Sequence, residues 1–252
     1  MKTAIITGAS AGLGVQYAKQ LHQVFPDIQK VWLIARRQER LEALAAELPE
    51  LETMVFPLDL CKDESIVALA QRLAAEQPEV ALLINNAGCG FLGNIGDGDW
   101  QRQTAMVDLN VRAFTAVVHV VLPYMKSGSR ILNTSSIASF CANPKLNTYS
   151  ASKAYVSSFT RGLAFELRGT GITATAVCPG PMATEFITLG GIVGNSPSFE
   201  ALPYCDPQKV TLGALKAAKK GKTFYTPTAF YKFYRVVAKL LPHSIVVHMA
   251  KC

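Results

Sequence analysis

Short apolar segments alternate with amphipathic ones along this chain, and that alternation limits its fold more than any other feature. Thr3–Thr7, Val31–Ala35, Thr53–Pro57, Ala81–Ile84, Arg130–Thr134 and Ile172–Val177 read as strands, and Thr223–Thr226 as a seventh. Between them, Gly12–Val24, Gln38–Leu48, Asp63–Glu76, Asp99–Met125 and Tyr149–Arg168 read as helices, with Leu13, Tyr17 and Leu21 at helical spacing in the first. Asp99–Met125 is expected to form one long helix ended near Pro123. Strands buried on both faces and joined by helices make βαβ units. The expected fold is therefore α/β, one doubly wound parallel sheet of about seven strands with helices on both faces and right-handed connections. No linker or repeat interrupts the 252 residues, so one domain over 1–252 is expected. Thr184–Asp206 is rich in Gly, Pro and Ser without clear periodicity, and is expected to serve as a lid, about 185–206.

Composition removes several classes. Half of the residues are hydrophobic and 17% are charged, which excludes a disordered or fibrous chain. The cysteines at 61, 89, 141, 178, 205 and 252 form no CxxC and no cluster. Neither a zinc site nor a disulfide framework is expected, and the four histidines show no ligand spacing. Met1-Lys2-Thr3 runs directly into a strand, and no apolar run approaches the ~18 residues of a spanning helix. No transmembrane segment and a cytoplasmic location are expected.

Charge is unevenly placed. The net is +7, yet residues 207–252 hold nine Lys/Arg and no Asp or Glu. The surplus is interleaved with Phe224, Tyr225, Phe230, Tyr231, Phe233 and Tyr234 in a basic, aromatic extension, about 227–252. Phe230–Leu241 reads there as an amphipathic helix broken by Pro242. Such a tail suits an anionic substrate, an acidic partner or peripheral contact with a membrane. Nucleic acid is not expected, because no binding motif accompanies the charge.

Three local patterns carry chemistry. Thr7-Gly8-Ala9-Ser10-Ala11-Gly12-Leu13-Gly14 follows the first strand and opens the first helix. Glycines there allow a tight turn and let backbone N–H groups approach a pyrophosphate at the positive end of the helix. The second strand ends Ala35-Arg36-Arg37, where dinucleotide folds specific for NAD place an acid to hold the ribose hydroxyls. A carboxylate would repel a 2′-phosphate, whereas Arg36 and Arg37 can hold one, so NADP(H) is expected. Finally, Tyr149 and Lys153 lie at i and i+4 on one helical face, where an ammonium is expected to lower the phenol pKa from ~10. Asn133-Thr134-Ser135-Ser136 ends the fifth strand, and a serine hydroxyl there can hold the same substrate oxygen.

Together these residues resemble the short-chain dehydrogenase/reductase family. The match includes TGASAGLG at 7–14, Asp59 in PLDL, Asn85-Asn86-Ala87-Gly88, Asn110, Ser136 thirteen residues before Tyr149, Lys153, and Pro179-Gly180-Pro181-Met182-Ala183-Thr184. It covers about residues 1–184 and implies a Rossmann-type sheet. By this resemblance, Tyr149 is the proton donor and acceptor, Ser136 holds the substrate oxygen, and Lys153 binds the nicotinamide ribose and lowers the Tyr149 pKa. Asn110 positions a water that links Lys153 to solvent. Gly8, Ser10, Gly12, Leu13 and Gly14 surround the pyrophosphate, Arg36 and Arg37 the 2′-phosphate, and Asp59 and Leu60 the adenine. Asn86, Ala87 and Gly88 line the adenosine side, and Pro179, Gly180, Met182 and Thr184 the nicotinamide side. Ser135 rivals Ser136, and spacing favours Ser136.

The implied reaction is hydride transfer between NADP(H) and a carbonyl or secondary alcohol. The loops that reach substrate in this family offer Phe91, Phe140, Leu146, Met182 and Phe186, with Asn143 among few polar groups. They suit a bulky apolar ketone, of the steroid or bile-acid kind. A 3-oxoacyl thioester or small carbonyl reductase, and a non-catalytic NADP-binding sensor, are the alternatives. The resemblance also implies a homodimer or homotetramer through the helices at 99–125 and 148–168.

Overall fold

The computed structural model describes residues 1–191 and 201–250. Seven strands form one parallel sheet in the order β3-β2-β1-β4-β5-β6-β7. They are β1 (Lys2–Thr7), β2 (Lys30–Ala35), β3 (Glu52–Pro57), β4 (Glu79–Asn85), β5 (Arg130–Thr134), β6 (Thr173–Val177) and β7 (Phe224–Tyr225). The strand order reverses between β1 and β4, so the crevice at their C-terminal ends is the place where such sheets bind ligands.

Side-chain alternation within the strands builds two cores. In β1, Ala4 and Ile6 face one side and Ile5 the other. On the first side they meet α1 (Gly12–Val24), α2 (Gln38–Ala46) and α8 (Pro207–Lys219) through Tyr17, Leu21, Leu41, Leu44 and Leu215. On the second, Ile5, Trp32, Leu83 and Ile131 meet α3 (Asp63–Glu76), α5 (Phe114–Val121) and α6 (Asn147–Glu166) through Leu69, Leu73, Val117, Val121 and Leu163.

The segment expected as one α-helix differs in detail. α4 (Trp100–Val107) passes into a π-helical turn, Asp108–Ala113, before α5, and Leu122–Tyr124 closes it as a 3-10 turn at Pro123. Trp100–Tyr124 is long and apolar enough by composition to cross a membrane. Its apolar side, with Ala113, Val117, Val118 and Val121, packs in the second core. β7 is two residues rather than the four expected, Thr223–Thr226. The expected lid begins as α7 (Glu185–Leu189), while its residues 192–200 lie outside the described residues. Near the C-terminus, α9 (Ala229–Leu240) starts at Thr228, whose hydroxyl accepts from Tyr231 N–H at 3.3 Å, and α10 (His243–Met249) follows Pro242.

Candidate active site

The glycine loop at the end of β1 is shaped by close approaches. A Cβ on Gly8 (φ +67°) would sit 2.9 Å from Ala87 Cα, and one on Gly14 2.1 Å from the Gly8 carbonyl oxygen. Thr7 Oγ1 accepts the backbone N–H groups of Asn86 and Ala87, both at 2.9 Å, and so ties this loop to the end of β4. Asn86 Nδ2 donates to the Thr7 carbonyl at 3.2 Å. Neither a side-chain cap nor an acid occupies the first turn of α1. A glycine-lined helix start with uncapped N–H groups fits a pyrophosphate. Beside it lies an open cleft of about 380 Å³ lined by Ser10, Gly12, Arg40, Thr184 and Glu185 among others.

Beyond β2, Arg37 and Arg40 meet Ser10 and Glu185. Arg37 donates from Nε to Ser10 Oγ at 3.3 Å and to Glu185 at 3.0 Å, and Arg40 donates to Glu185 at 2.5 Å. Arg36, next to Arg37 in the chain, is exposed. Hydrogen bonds from Arg40 and then Arg37 hold the Glu185 carboxyl below its usual range. The guanidinium groups of Arg37 and Arg40, with the Ser10 hydroxyl, fit a phosphate monoester that takes the place of the Glu185 carboxylate between them. Sequence reasoning missed Arg40 and Glu185: the acid is 148 residues from Arg37, and no local pattern signals the pair. Asp59 accepts from the Cys61 N–H at 3.2 Å, and Leu60 is buried beside it.

At the ends of β4 and β5, the four chemical residues converge. Tyr149 is buried, and burial pushes its phenol up to about 12, while a hydrogen bond with Ser136 pulls partly the other way. The expectation of a lowered phenol is thus corrected, because desolvation of the phenolate outweighs the stabilising contacts. Lys153 Nζ lies 5.8 Å from the Tyr149 ring centre and donates to the Thr134 carbonyl at 2.9 Å. Burial lowers its ammonium to about 8. Ser135 points away, its hydroxyl donating to the Lys153 carbonyl at 2.8 Å and meeting Ser157 Oγ at 2.8 Å. Ser136 is therefore the serine presented to Tyr149.

Asn110 sits in the π-helical turn, a distortion often found at functional sites. Its Oδ1 accepts from the Cys89 N–H at 2.9 Å, and its Nδ2 donates to the Cys89 carbonyl at 2.8 Å and to Ser152 Oγ at 3.0 Å. The side chain expected to orient a water is thus engaged in fixing the loop after β4. A Cβ on Gly88 would meet both Asn110 Oδ1 and Lys153 Nζ at 3.1 Å, so glycine keeps that corner open.

An apolar wall surrounds Tyr149. Met106, Ala138, Leu146 and Ile187 cluster with it, and Phe91, Leu92 and Phe186 pack against them. The Phe186 and Tyr149 ring centres are 5.5 Å apart. Of the substrate residues expected, Phe91, Leu146 and Phe186 reach this wall. Phe140 and Met182 pack instead against the core beneath α1 and α8, Phe140 also against Tyr234. Asn143 donates to the carbonyls of Ala138 and Cys141 and braces its own turn. On the other side, Pro179 accepts from the Ile137 N–H at 3.0 Å, and a Cβ on Gly180 would strike the Tyr231 ring at 2.2 Å. Among the described residues no cluster of His, Cys, Asp or Glu could hold a metal ion.

Comparison with known proteins gives a consistent result. The family model described as short chain dehydrogenase matches residues 2–188. An uncharacterized oxidoreductase of Staphylococcus saprophyticus is 33% identical over 224 residues, 87% of this chain and 92% of the relative. A very-long-chain 3-oxoacyl-CoA reductase of Anas platyrhynchos is 34% identical over 207 residues, 78% of this chain and 63% of the relative. A short-chain dehydrogenase from Sphingobium yanoikuyae, solved in complex with NADPH, superimposes with a TM-score of 0.80 at 25% identity, covering 97% of this chain and 98% of that one.

Proposed function

Since this chain belongs to the short-chain dehydrogenase family and is a nicotinamide-dependent oxidoreductase of the CH–OH/C=O class, we propose that it is an NADPH-dependent reductase of bulky, apolar ketones. The observation that carries the reading is the joint placement of Ser136, Tyr149 and Lys153 against an apolar wall, with Arg37 and Arg40 gathered beside Ser10 of the glycine loop.

A reduced nicotinamide, when bound, supplies the hydride. The chain's own residues do the rest. Ser136 Oγ and the Tyr149 hydroxyl converge on one substrate oxygen. Tyr149 gives its proton to that oxygen as the carbonyl carbon becomes tetrahedral, and is left as phenolate. Its raised pKa keeps it protonated at neutral pH, ready to act as an acid. The Lys153 ammonium, held by Thr134, then stabilises the phenolate. Arg36, Arg37 and Arg40, with Ser10, recognise the 2′-phosphate and favour NADPH over NADH. Phe91, Leu146, Phe186 and Ile187 exclude water and receive the apolar body of the substrate.

A 3-oxoacyl thioester is the second reading, favoured by the nine cations and absent acids of residues 207–252 and by the similarity to the reductase from Anas platyrhynchos. We further infer a homodimer or homotetramer, because α4 and α6 expose Trp100, Tyr155 and Phe165. The test is consumption of NADPH, with NADH in parallel, across steroid ketones, bile-acid ketones, 3-oxoacyl thioesters and small aldehydes. Turnover of the polycyclic ketones with NADPH well above NADH is expected. Turnover of small aldehydes alone, or preference for NADH, overturns the reading.

A further inference from the structure

α9 is apolar on the side that faces away from the protein. Tyr231 and Ala238 mark its inner side, at 0% and 4% exposure. At about 100° per residue, Phe233, Val236 and Leu240 then lie within about 30° of the outward direction. They are 69%, 53% and 75% exposed. Lys232 and Lys239 flank this stripe on one side and Phe230 on the other, and Leu241 and Ile245 continue the exposed apolar surface into α10.

The helix is also held firmly from behind. Arg235 stacks on the Phe224 ring at 4.3 Å, Tyr231 donates to the Pro203 carbonyl at 2.6 Å, and Tyr234 Oη meets Cys141 Sγ at 2.9 Å. These contacts leave the outer stripe presented outward.

We propose that the outer face of α9 seats this protein on the surface of an anionic lipid membrane. An interfacial helix combines an exposed apolar stripe with Lys or Arg at the headgroup level, which is the pattern here. The charge agrees: residues 207–252 contain nine Lys/Arg and no acidic residue to be repelled by anionic headgroups. A second copy fits less well. A 12-residue helix is about 18 Å long and about 10 Å wide, so it offers roughly 200 Å², well below the roughly 800 Å² per partner of a stable interface. An antiparallel two-fold contact would also bring together the edges of the two helices that carry Lys232 and Lys239. The inference stands on the helix and its charges, not on the reaction proposed above. Its inner contacts reach Cys141 and Phe140, in the turn that follows Ser136, so docking would bring the substrate side of the protein towards the bilayer.

The test is flotation of the full-length protein with vesicles of phosphatidylcholine alone and of phosphatidylcholine with about one third phosphatidylglycerol. The wild type should float with the anionic vesicles and less so as salt rises. Combined Phe233→Gln and Leu240→Gln substitutions should lower the bound fraction at least tenfold with an unchanged melting temperature. Should that variant melt early, Lys232→Gln with Lys239→Gln supplies the second arm and should weaken binding to the anionic vesicles. Wild type that floats with neither vesicle, or variants of both kinds that float as well as wild type, overturns the proposal. So does a change of oligomeric state in the Phe233/Leu240 variant when the wild type binds no vesicles.

Discussion

Replacing Lys153 with methionine should abolish turnover and, by the reasoning above, change how stability responds to pH. Burial lowers the Lys153 ammonium from 10.5 to about 8. Below pH 8 the side chain is protonated in both folded and unfolded chains, and the folded state carries the full penalty. Between pH 8 and 10.5 the unfolded chain binds the extra proton, so stability rises with pH across that window; above it the penalty is gone. At about 1.4 kcal/mol per pH unit, the penalty is roughly 3 kcal/mol at pH 7 and roughly 1 kcal/mol at pH 10. Methionine removes it at both. Against this stands the lost hydrogen bond to the Thr134 carbonyl, of order 1–3 kcal/mol for a charged donor. The difference between variant and wild type should therefore shift by about 2 kcal/mol in favour of wild type from pH 7 to pH 10, whatever the hydrogen bond is worth. Urea unfolding of both proteins at the two pH values, without added cofactor, measures it. A difference that stays constant with pH would refute the claim that burial strains this ammonium.

Further outcomes follow from the same geometry. Reductive kcat/KM should be level through neutral pH and fall as pH passes about 8, because Lys153 loses the charge that stabilises the phenolate; a rise across pH 7–9 would contradict the assignment. Glu185→Gln should free Arg37 and Arg40 and tighten NADPH by about threefold to tenfold without tightening NADH, as read by fluorescence titration. The serines should separate: Ser136→Ala should lower kcat by about 10²-fold or more while the melting temperature holds. Ser135→Ala should cost about 1–2 kcal/mol of stability, by denaturant titration, while leaving kcat near wild type.

What could be read from the sequence was what local spacing encodes. Gly8, Gly12 and Gly14 after a strand, Ala35 followed by two arginines, and Tyr149 four residues before Lys153 each state their geometry within a few positions. The sheet was legible because its strands are apolar on both faces and its helices are periodic. The break in Asp99–Met125 was not, since a π-helical turn at Asp108–Ala113 keeps the apolar side continuous and leaves the periodicity almost untouched. The direction of the Tyr149 shift also escaped, because spacing shows the nearby ammonium and not the desolvation around it. Contacts between distant segments, such as Arg37 and Arg40 with Glu185 or Met106 and Ile187 with Tyr149, leave no mark in either segment alone. Asn143 shows the converse: a polar residue in a binding loop reads as a substrate contact, yet its amide braces the turn.

The strand order has a consequence in time as well as in space. As the chain emerges from the ribosome, β1 comes first, β2 and β3 add outward on one side of it, and β4 to β7 add outward on the other. Each new strand joins an open edge, and none has to be threaded between two that are already paired. The drawback is that a growing sheet always presents a bare edge, which invites association between nascent chains. β7 limits that exposure on its own side of the sheet. It is two residues long, and Arg161 and Arg235 both stack their guanidinium groups on the Phe224 ring at 4.4 and 4.3 Å. Because Arg235 belongs to α9, a chain released before that helix has been made would leave the edge half guarded, and truncations there should reveal themselves first as aggregation rather than as lost catalysis.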